Sequence, residues 1–98
     1  MAQEQIQSNV RERTGLREPP KWTVIFWNDD FTTMDFVVKV LTDVFLKSEQ
    51  EAERLMMKVH EEGQAVVGVY SYDIAVSRKK LADKMARAEG FPLKITVK

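Results

Sequence analysis

Apolar residues after residue 20 fall into six segments, of which three are spaced as strands and three as helices. Lys21–Trp27 is rich in aromatic and β-branched residues, and its unbroken apolar run from Val24 predicts a strand buried on both faces. Gln64–Tyr70 predicts a second strand, in which Gly68 indicates a bulge or a close backbone approach. Leu93–Val97 alternates apolar and polar residues, which predicts a third strand with one solvated face.

The first predicted helix is Met34–Leu46, with Thr33 as its N-cap. Its apolar residues recur at three and four positions, which indicates one buried stripe. The stripe consists of Val37, Val40, Leu41, Val44 and Phe45.

Two further helices are bounded by capping residues. Ser48 followed three positions later by Glu51 is typical of a capping box, and the helix it opens runs to about Glu62 before Gly63. Its predicted buried stripe is Ala52, Leu55, Met56 and Val59. Ser71 is the predicted cap of a third helix, Tyr72–Glu89, whose predicted inward residues are Ile74, Leu81, Ala82 and Met85.

The resulting order is β-α-α-β-α-β, which predicts an α+β domain with a three-stranded antiparallel sheet and helices on one face. Residues 1–20 are mostly polar and end in two prolines, so they predict a flexible N-terminal extension. The predicted domain is therefore residues 21–98.

Composition narrows the possible functions. Fifteen basic and fifteen acidic side chains balance, which argues against nucleic-acid binding, and no apolar run approaches the roughly 20 residues that span a membrane. The chain has no cysteine and a single histidine, and no catalytic or phosphate-binding motif is present. We therefore expect a soluble intracellular protein, and nothing in the sequence marks a nucleophilic serine.

The most informative polar residues are Asn28, Asp29 and Asp30, which interrupt the chain between the first strand and the first helix. Three interpretations are open. Carboxylate and amide oxygens are ligands for hard cations, which predicts an oxygen-ligand metal site. The same residues are typical of an Asx-type turn. They could also accept hydrogen bonds from an ammonium group, which carries three donors.

The second helix supplies residues that support the ammonium interpretation. His60 stands at the edge of the stripe of that helix, and its ring nitrogen is a further acceptor if the helix packs beside the strand end. The neighbouring apolar residues are Met34, Val37, Met56 and Val59. Acceptors beside an apolar cavity, partly lined by deformable methionines, suit an ammonium group attached to a large apolar side chain.

Four ordered motifs resemble the ClpS adaptor family: NDDFTTMDFV at 28–37, ERLMMKVHEEG at 53–63, AVVGVYSYDIA at 65–75 and GFPL at 90–93. The resemblance implies an adaptor that binds N-degrons, chains that begin with Leu, Phe, Tyr or Trp. It also implies delivery to a ClpA- or ClpC-type AAA+ unfoldase and degradation by ClpP. The protein would then be a cytoplasmic adaptor that is not an enzyme and needs no cofactor. The extension before the domain would be engaged by the unfoldase during delivery.

The resemblance also implies roles for individual residues. The α-amino group would be bound at Asn28, Asp29, Asp30 and His60. The side-chain pocket would be lined by Phe26, Trp27, Thr32, Met34, Val37, Met56, Val59 and Leu93, with Met34 as a gate against β-branched first residues. The unfoldase would contact Asp73 and Arg78.

The sequence departs from the family pattern at three places. Thr33 replaces a proline, Trp27 replaces a smaller aliphatic residue, and Ser77–Lys80 replaces a Glu-Thr-Lys pattern. Two alternatives to the adaptor stay open at this point. One is the oxygen-ligand metal-binding domain, and the other is a protein-interaction module with a fold like that of the ribosomal stalk protein.

Overall fold

The computed structural model describes residues 20–98, which form six elements in the predicted order. The elements are β1 (Lys21–Trp27), α1 (Met34–Asp43), α2 (Glu49–Glu62), β2 (Gln64–Ser71), α3 (Tyr72–Glu89) and β3 (Lys94–Val97). The strands pair antiparallel in the order β2-β1-β3, which confirms the α+β class and the three-stranded sheet. The predicted extension, apart from its last proline, lies outside the described residues.

The central strand β1 is buried from both sides. Val24, Ile25 and Phe26 are all buried, although neighbouring side chains of a strand point to opposite faces. Ile25 lies between Val66 of β2 and Thr96 of β3, which shield it on the face away from the core. The unbroken apolar run therefore reflects the central position of the strand, as predicted.

The core lies between the helices and one face of the sheet. That face contributes Val24, Phe26, Ala65, Val67 and Ile95. On the opposite face two β2 valines stay about half exposed. None of the helices within residues 20–98 is long and apolar enough to cross a membrane.

Gly68 combines both of its predicted features. The register between β1 and β2 shifts at this point, because Val24 pairs with Gly68 while Ile25 pairs with Val66. A Cβ atom at Gly68 would also lie 2.6 Å from the hydroxyl oxygen of Tyr70. The absent side chain therefore makes room for this tyrosine beside the bulge.

The helix ends follow the predicted capping residues with one exception. The hydroxyl of Thr33 accepts from the Phe36 N–H at 3.1 Å, and that of Ser48 accepts from the Glu51 N–H at 3.0 Å. Gly63 ends α2 in the left-handed conformation, with φ 90°. Ser71 occupies the N-cap position of α3, but its side chain makes no capping hydrogen bond.

The first helix is shorter than predicted. It ends at Asp43 rather than Leu46, with Val44 as its C-cap, and the φ of 58° at Leu46 excludes that residue from a right-handed helix. Val44 and Phe45 are nevertheless buried as predicted, and the Phe45 ring packs edge-on against that of Phe26 at 5.4 Å. Burial here extends past the helix, so the apolar stripe did not mark its end.

The inward face of α3 also differs from the prediction. Ile74 and Leu81 are 43% and 50% exposed, whereas Ala75, Ala82 and Ala86 are buried. The alanines recur at seven and four positions and form the stripe that packs on the sheet. The prediction was wrong for Ile74 and Leu81, which lie to one side of the alanines, but it was right for Ala82, which is buried, and for Met85, which packs against the core.

Candidate functional site

The turn between β1 and α1 is built around the carboxylate of Asp29. Its Oδ1 accepts from the N–H groups of Phe31 at 2.8 Å and Thr32 at 2.7 Å. Its Oδ2 accepts from the Thr32 hydroxyl at 2.8 Å. This is the Asx-type turn that was one of the three interpretations of the sequence.

The turn also shifts the acidity of Asp29. Partial burial raises the pKa of Asp29, but the hydrogen bonds from Thr32 and Phe31 together outweigh it and hold the pKa below its usual value. The ionised carboxylate is therefore the form that stabilises this turn.

Two hydrogen bonds, one between backbone groups and one from a capping side chain, connect the turn to α1 and α2. The Asn28 N–H donates to the carbonyl oxygen of Gly63 at 2.9 Å, which joins the end of β1 to the end of α2. Because His60 lies three residues before Gly63, this bond places it near Asn28. The Thr33 cap then starts α1 immediately after the turn.

The strand end and the two helices enclose a cavity of about 410 Å³. This volume falls within the range of about 300–1,000 Å³ that is typical of small-ligand pockets. The cavity is lined by Asn28, Asp29, Asp30, Phe31, Thr32, Thr33, Met34, Val37, Met56, Val59 and His60.

Apart from Phe31, the lining divides into two chemically different walls. The polar wall consists of Asn28, Asp29, Asp30, Thr32, Thr33 and His60, and the apolar wall consists of Met34, Val37, Met56 and Val59. Asn28, Asp30 and His60 are exposed, so their acceptor atoms are accessible. Val37 and Val59 are buried and also belong to the core.

Three residues that were predicted to line the pocket do not line this cavity. Phe26 is fully buried inside the core, and Leu93 is buried in the same cluster. Trp27 points to the opposite face of the sheet because side chains alternate along β1. Its indole N–H donates to the Thr96 hydroxyl at 3.0 Å, and the Lys94 ammonium lies 5.0 Å from the ring centre.

Two cavity residues were not predicted to contribute. Phe31 and Thr33 both line it, and both lie inside the 28–37 motif. Phe31 could have been noticed as an aromatic residue placed directly after the acidic pair. Thr33 was recognised only as a helix cap.

The predicted unfoldase contacts lie on α3. Asp73 is exposed in the first turn, and Arg78 is partly buried with its guanidinium 5.2 Å from the centre of the Tyr70 ring. The exposed apolar residues Ile74 and Leu81 lie on the same helix.

The metal interpretation finds no support in the geometry. Within residues 20–98, no three His, Cys, Asp or Glu side chains are grouped as a metal site would need. The Asp29 carboxylate already accepts three hydrogen bonds from the protein.

Comparison with known proteins matches most of the chain. Residues 17–96 match the family described as ATP-dependent Clp protease adaptor protein ClpS. The ATP-dependent Clp protease adapter protein ClpS of Acetivibrio thermocellus is 52% identical over 86 residues, or 86% of this chain and 87% of that protein. The same adapter protein of Oleidesulfovibrio alaskensis is 46% identical over 82 residues, or 84% of this chain and 79% of that protein. Agrobacterium tumefaciens ClpS2 bound to L-phenylalaninamide superimposes with a TM-score of 0.78 and 41% identity, covering 83% of this chain and 98% of that one.

Fold and site together define a small α+β domain with a two-walled cavity at the end of its central strand. The matches over most of the chain then show that it belongs to the ClpS family, the adaptor proteins of the ATP-dependent Clp protease. The resemblance found in the sequence motifs is thereby confirmed.

Proposed function

We propose that this adaptor binds N-degrons through the cavity and reads two features of the first residue at once. One is a free α-amino group, and the other is the bulky side chain of Leu, Phe, Tyr or Trp. The observation that carries this proposal is the pairing of exposed acceptors with an apolar wall around a cavity of about 410 Å³.

The polar wall would bind the α-ammonium group. Asn28, Asp30 and His60 are exposed and can accept its three N–H donors. Asp29 has a different role, because its carboxylate accepts three hydrogen bonds inside the turn and so holds its neighbours in position. Each charge-assisted bond to the ammonium would contribute roughly 1.5–3 kcal/mol.

The apolar wall would bury the first side chain. Met34 and Val37 come from α1, and Met56 and Val59 come from α2. Burying a Leu or Phe side chain contributes roughly 1.5–3 kcal/mol, so a complex in the micromolar range, at about −8 kcal/mol, is expected after the costs of association. No covalent bond changes in this process, and we propose that the protein acts without catalysis.

The structural neighbour supports the choice of ligand. Agrobacterium tumefaciens ClpS2 is bound to L-phenylalaninamide, which combines a free α-amino group with a large apolar side chain. These are the two features that the walls of the cavity are suited to bind.

Fluorescence anisotropy with labelled peptides tests the proposal. A peptide that begins with Phe or Leu should bind, whereas its N-acetylated twin, which lacks the ammonium group, should not. Equal binding of the two peptides, or binding of neither, would overturn the proposal.

The second half of the proposed function is delivery to a ClpA- or ClpC-type unfoldase and on to ClpP, in the cytoplasm. Asp73 and Arg78 would contribute to the unfoldase contact, and residues 1–20 would be engaged during delivery. The exposed Ile74 and Leu81 on the same helix support a protein contact there. Arg78→Glu should weaken binding to the purified unfoldase while peptide affinity stays unchanged, and loss of peptide affinity instead would count against this surface.

A further inference from the structure

Phe31 is the most exposed large apolar side chain among residues 20–98, at 73%. It nevertheless lines the cavity, whose other apolar residues come from the two helices. An aromatic ring this exposed contributes little to the core, and its place in the cavity lining makes it accessible to a ligand bound there.

The backbone under this ring is held in place. The Phe31 N–H donates to the Asp29 carboxylate, and the next residue, Thr32, donates to the same carboxylate through both its N–H and its hydroxyl. These bonds fix the point at which the Phe31 side chain leaves the backbone, beside the cavity, while the ring itself is free to adjust to a ligand.

The proposed function, on which this inference rests, determines which part of a ligand reaches the ring. The α-ammonium group would be bound at Asn28 and Asp30, and Phe31 follows Asp30 directly in the chain. The first side chain would occupy the apolar wall, which leaves the solvent side to the following residue. Consecutive Cα atoms are about 3.8 Å apart, so the second residue must lie close to the ammonium acceptors.

We infer that Phe31 contacts the side chain of the second residue of the bound chain and favours an apolar residue there. The ring offers apolar surface that is otherwise in water, so a leucine at this position would remove area from solvent on both partners. A polar residue of similar size would gain nothing from the ring and would lose part of its own hydration.

Two peptides that differ only at the second position test this inference. Both begin with Phe and carry either Leu or Asn next, since these side chains are similar in size and differ in polarity. The intact protein should bind the Leu peptide about fivefold more tightly than the Asn peptide, as expected for partial burial of one apolar side chain. Phe31→Ser should bring this ratio to about one while the discrimination against N-acetylated peptide persists.

Leu46→Ser is the matched control. Leu46 is 69% exposed, close to the exposure of Phe31, but it follows α1 at the far end from the cavity and does not line it. This variant should keep the wild-type ratio of the two peptides. An unchanged ratio in Phe31→Ser, or an intact protein without preference between Leu and Asn, would overturn the inference and leave the proposed function standing. Failure of the intact protein to bind any peptide with a free amino group would overturn both.

Discussion

The two walls of the cavity are held in place by different interactions. In the polar wall, Asn28, Asp30 and His60 are exposed, and the turn that carries the first two is held by hydrogen bonds to Asp29. In the apolar wall, Val37 and Val59 are only 6% and 3% exposed and pack in the core of the domain. One wall is a surface feature built on a turn, while the other is an exposed edge of the core.

This difference determines what substitutions can reveal. Exposed side chains of the polar wall contribute little to folding, so binding can be removed there without loss of stability. Buried side chains of the apolar wall contribute both to folding and to ligand binding, so their truncation should change affinity and stability together. Asp29 is the exception, because it lies in the polar wall but acts as a structural residue. Substitutions at four cavity residues test this division, and their expected effects decrease from Asp30 to Asp29.

Asp30→Asn should have the largest effect on binding. It removes the negative charge opposite the ammonium, so affinity for a Phe-first peptide should fall roughly tenfold to a hundredfold, as expected for about 1.5–3 kcal/mol. The melting temperature should stay within experimental error because Asp30 is exposed. Asp35→Asn removes the same charge from the first turn of α1, outside the cavity lining, and should leave affinity unchanged. Equal losses in the two variants would indicate a general charge effect and contradict the role of Asp30.

Val59→Ala should combine two losses. Removing two methyl groups from a residue that is 3% exposed should lower the free energy of unfolding by about 1–3 kcal/mol, measured by urea denaturation. It should also weaken binding of a Leu-first peptide, because the apolar wall becomes less complete. Val44→Ala changes a valine that is 5% exposed and does not line the cavity, so it should reduce stability alone. If Val59→Ala binds as tightly as the intact protein, the apolar wall does not contact the ligand.

Met34→Ala should change selectivity rather than stability. Met34 is 42% exposed, so its loss leaves the core intact, but it removes bulk from the wall next to the first side chain. Affinity for Ile-first peptides, relative to Leu-first ones, should rise about tenfold, which corresponds to about 1.4 kcal/mol. Met57→Ala is the control, since Met57 is 38% exposed on α2 and lies outside the cavity lining. If both variants keep the same preference for Leu over Ile as the first residue, Met34 does not act as the gate against β-branched side chains.

Asp29→Ala should have the smallest effect, about 1 kcal/mol of stability at neutral pH, because the lost hydrogen bonds are partly exposed. Its pKa is lowered in the folded protein, so the stabilisation from the ionised form is present above the usual pKa of an aspartate. This stabilisation is lost as the pH falls through the lowered pKa that Asp29 has in the folded protein. The difference in unfolding free energy between intact protein and variant should therefore shrink between about pH 7 and about pH 3.

Asp30→Asn provides the reference for that measurement, because the three hydrogen bonds that hold the turn are accepted by Asp29 and not by Asp30. Its stability difference from the intact protein should stay small throughout the same pH range. A difference for Asp29→Ala that stays constant on acidification would show that the charge of Asp29 does not hold the turn.

Local patterns were sufficient for the element order and for most element ends. The capping residues Thr33, Ser48 and Gly63 act within one turn of the backbone, so their chemistry can be read without knowledge of the fold. The end of α1 was missed because the apolar stripe continues into Phe45, which is buried by the tertiary structure after the helix has ended. The stripe of α3 was predicted only in part, because periodicity alone does not show that Ala75 and Ala86, rather than Ile74 and Leu81, face the sheet.

The candidate site was likewise predictable in part from local sequence and in part not. The sequence alone determined that acceptor-rich side chains follow a buried strand, and that the motifs of residues 28–37 and 53–63 belong together as they do in the ClpS family. Only the tertiary structure decided which side chains meet. The bond from Asn28 to Gly63 brings α2 to the turn, and strand alternation turns Trp27 to the other face. The physical reason is that capping and periodicity depend on neighbours within a few residues. The cavity is formed by two segments, residues 28–37 and 56–60, that are at least nineteen positions apart in the chain, and their contact depends on how the helices pack.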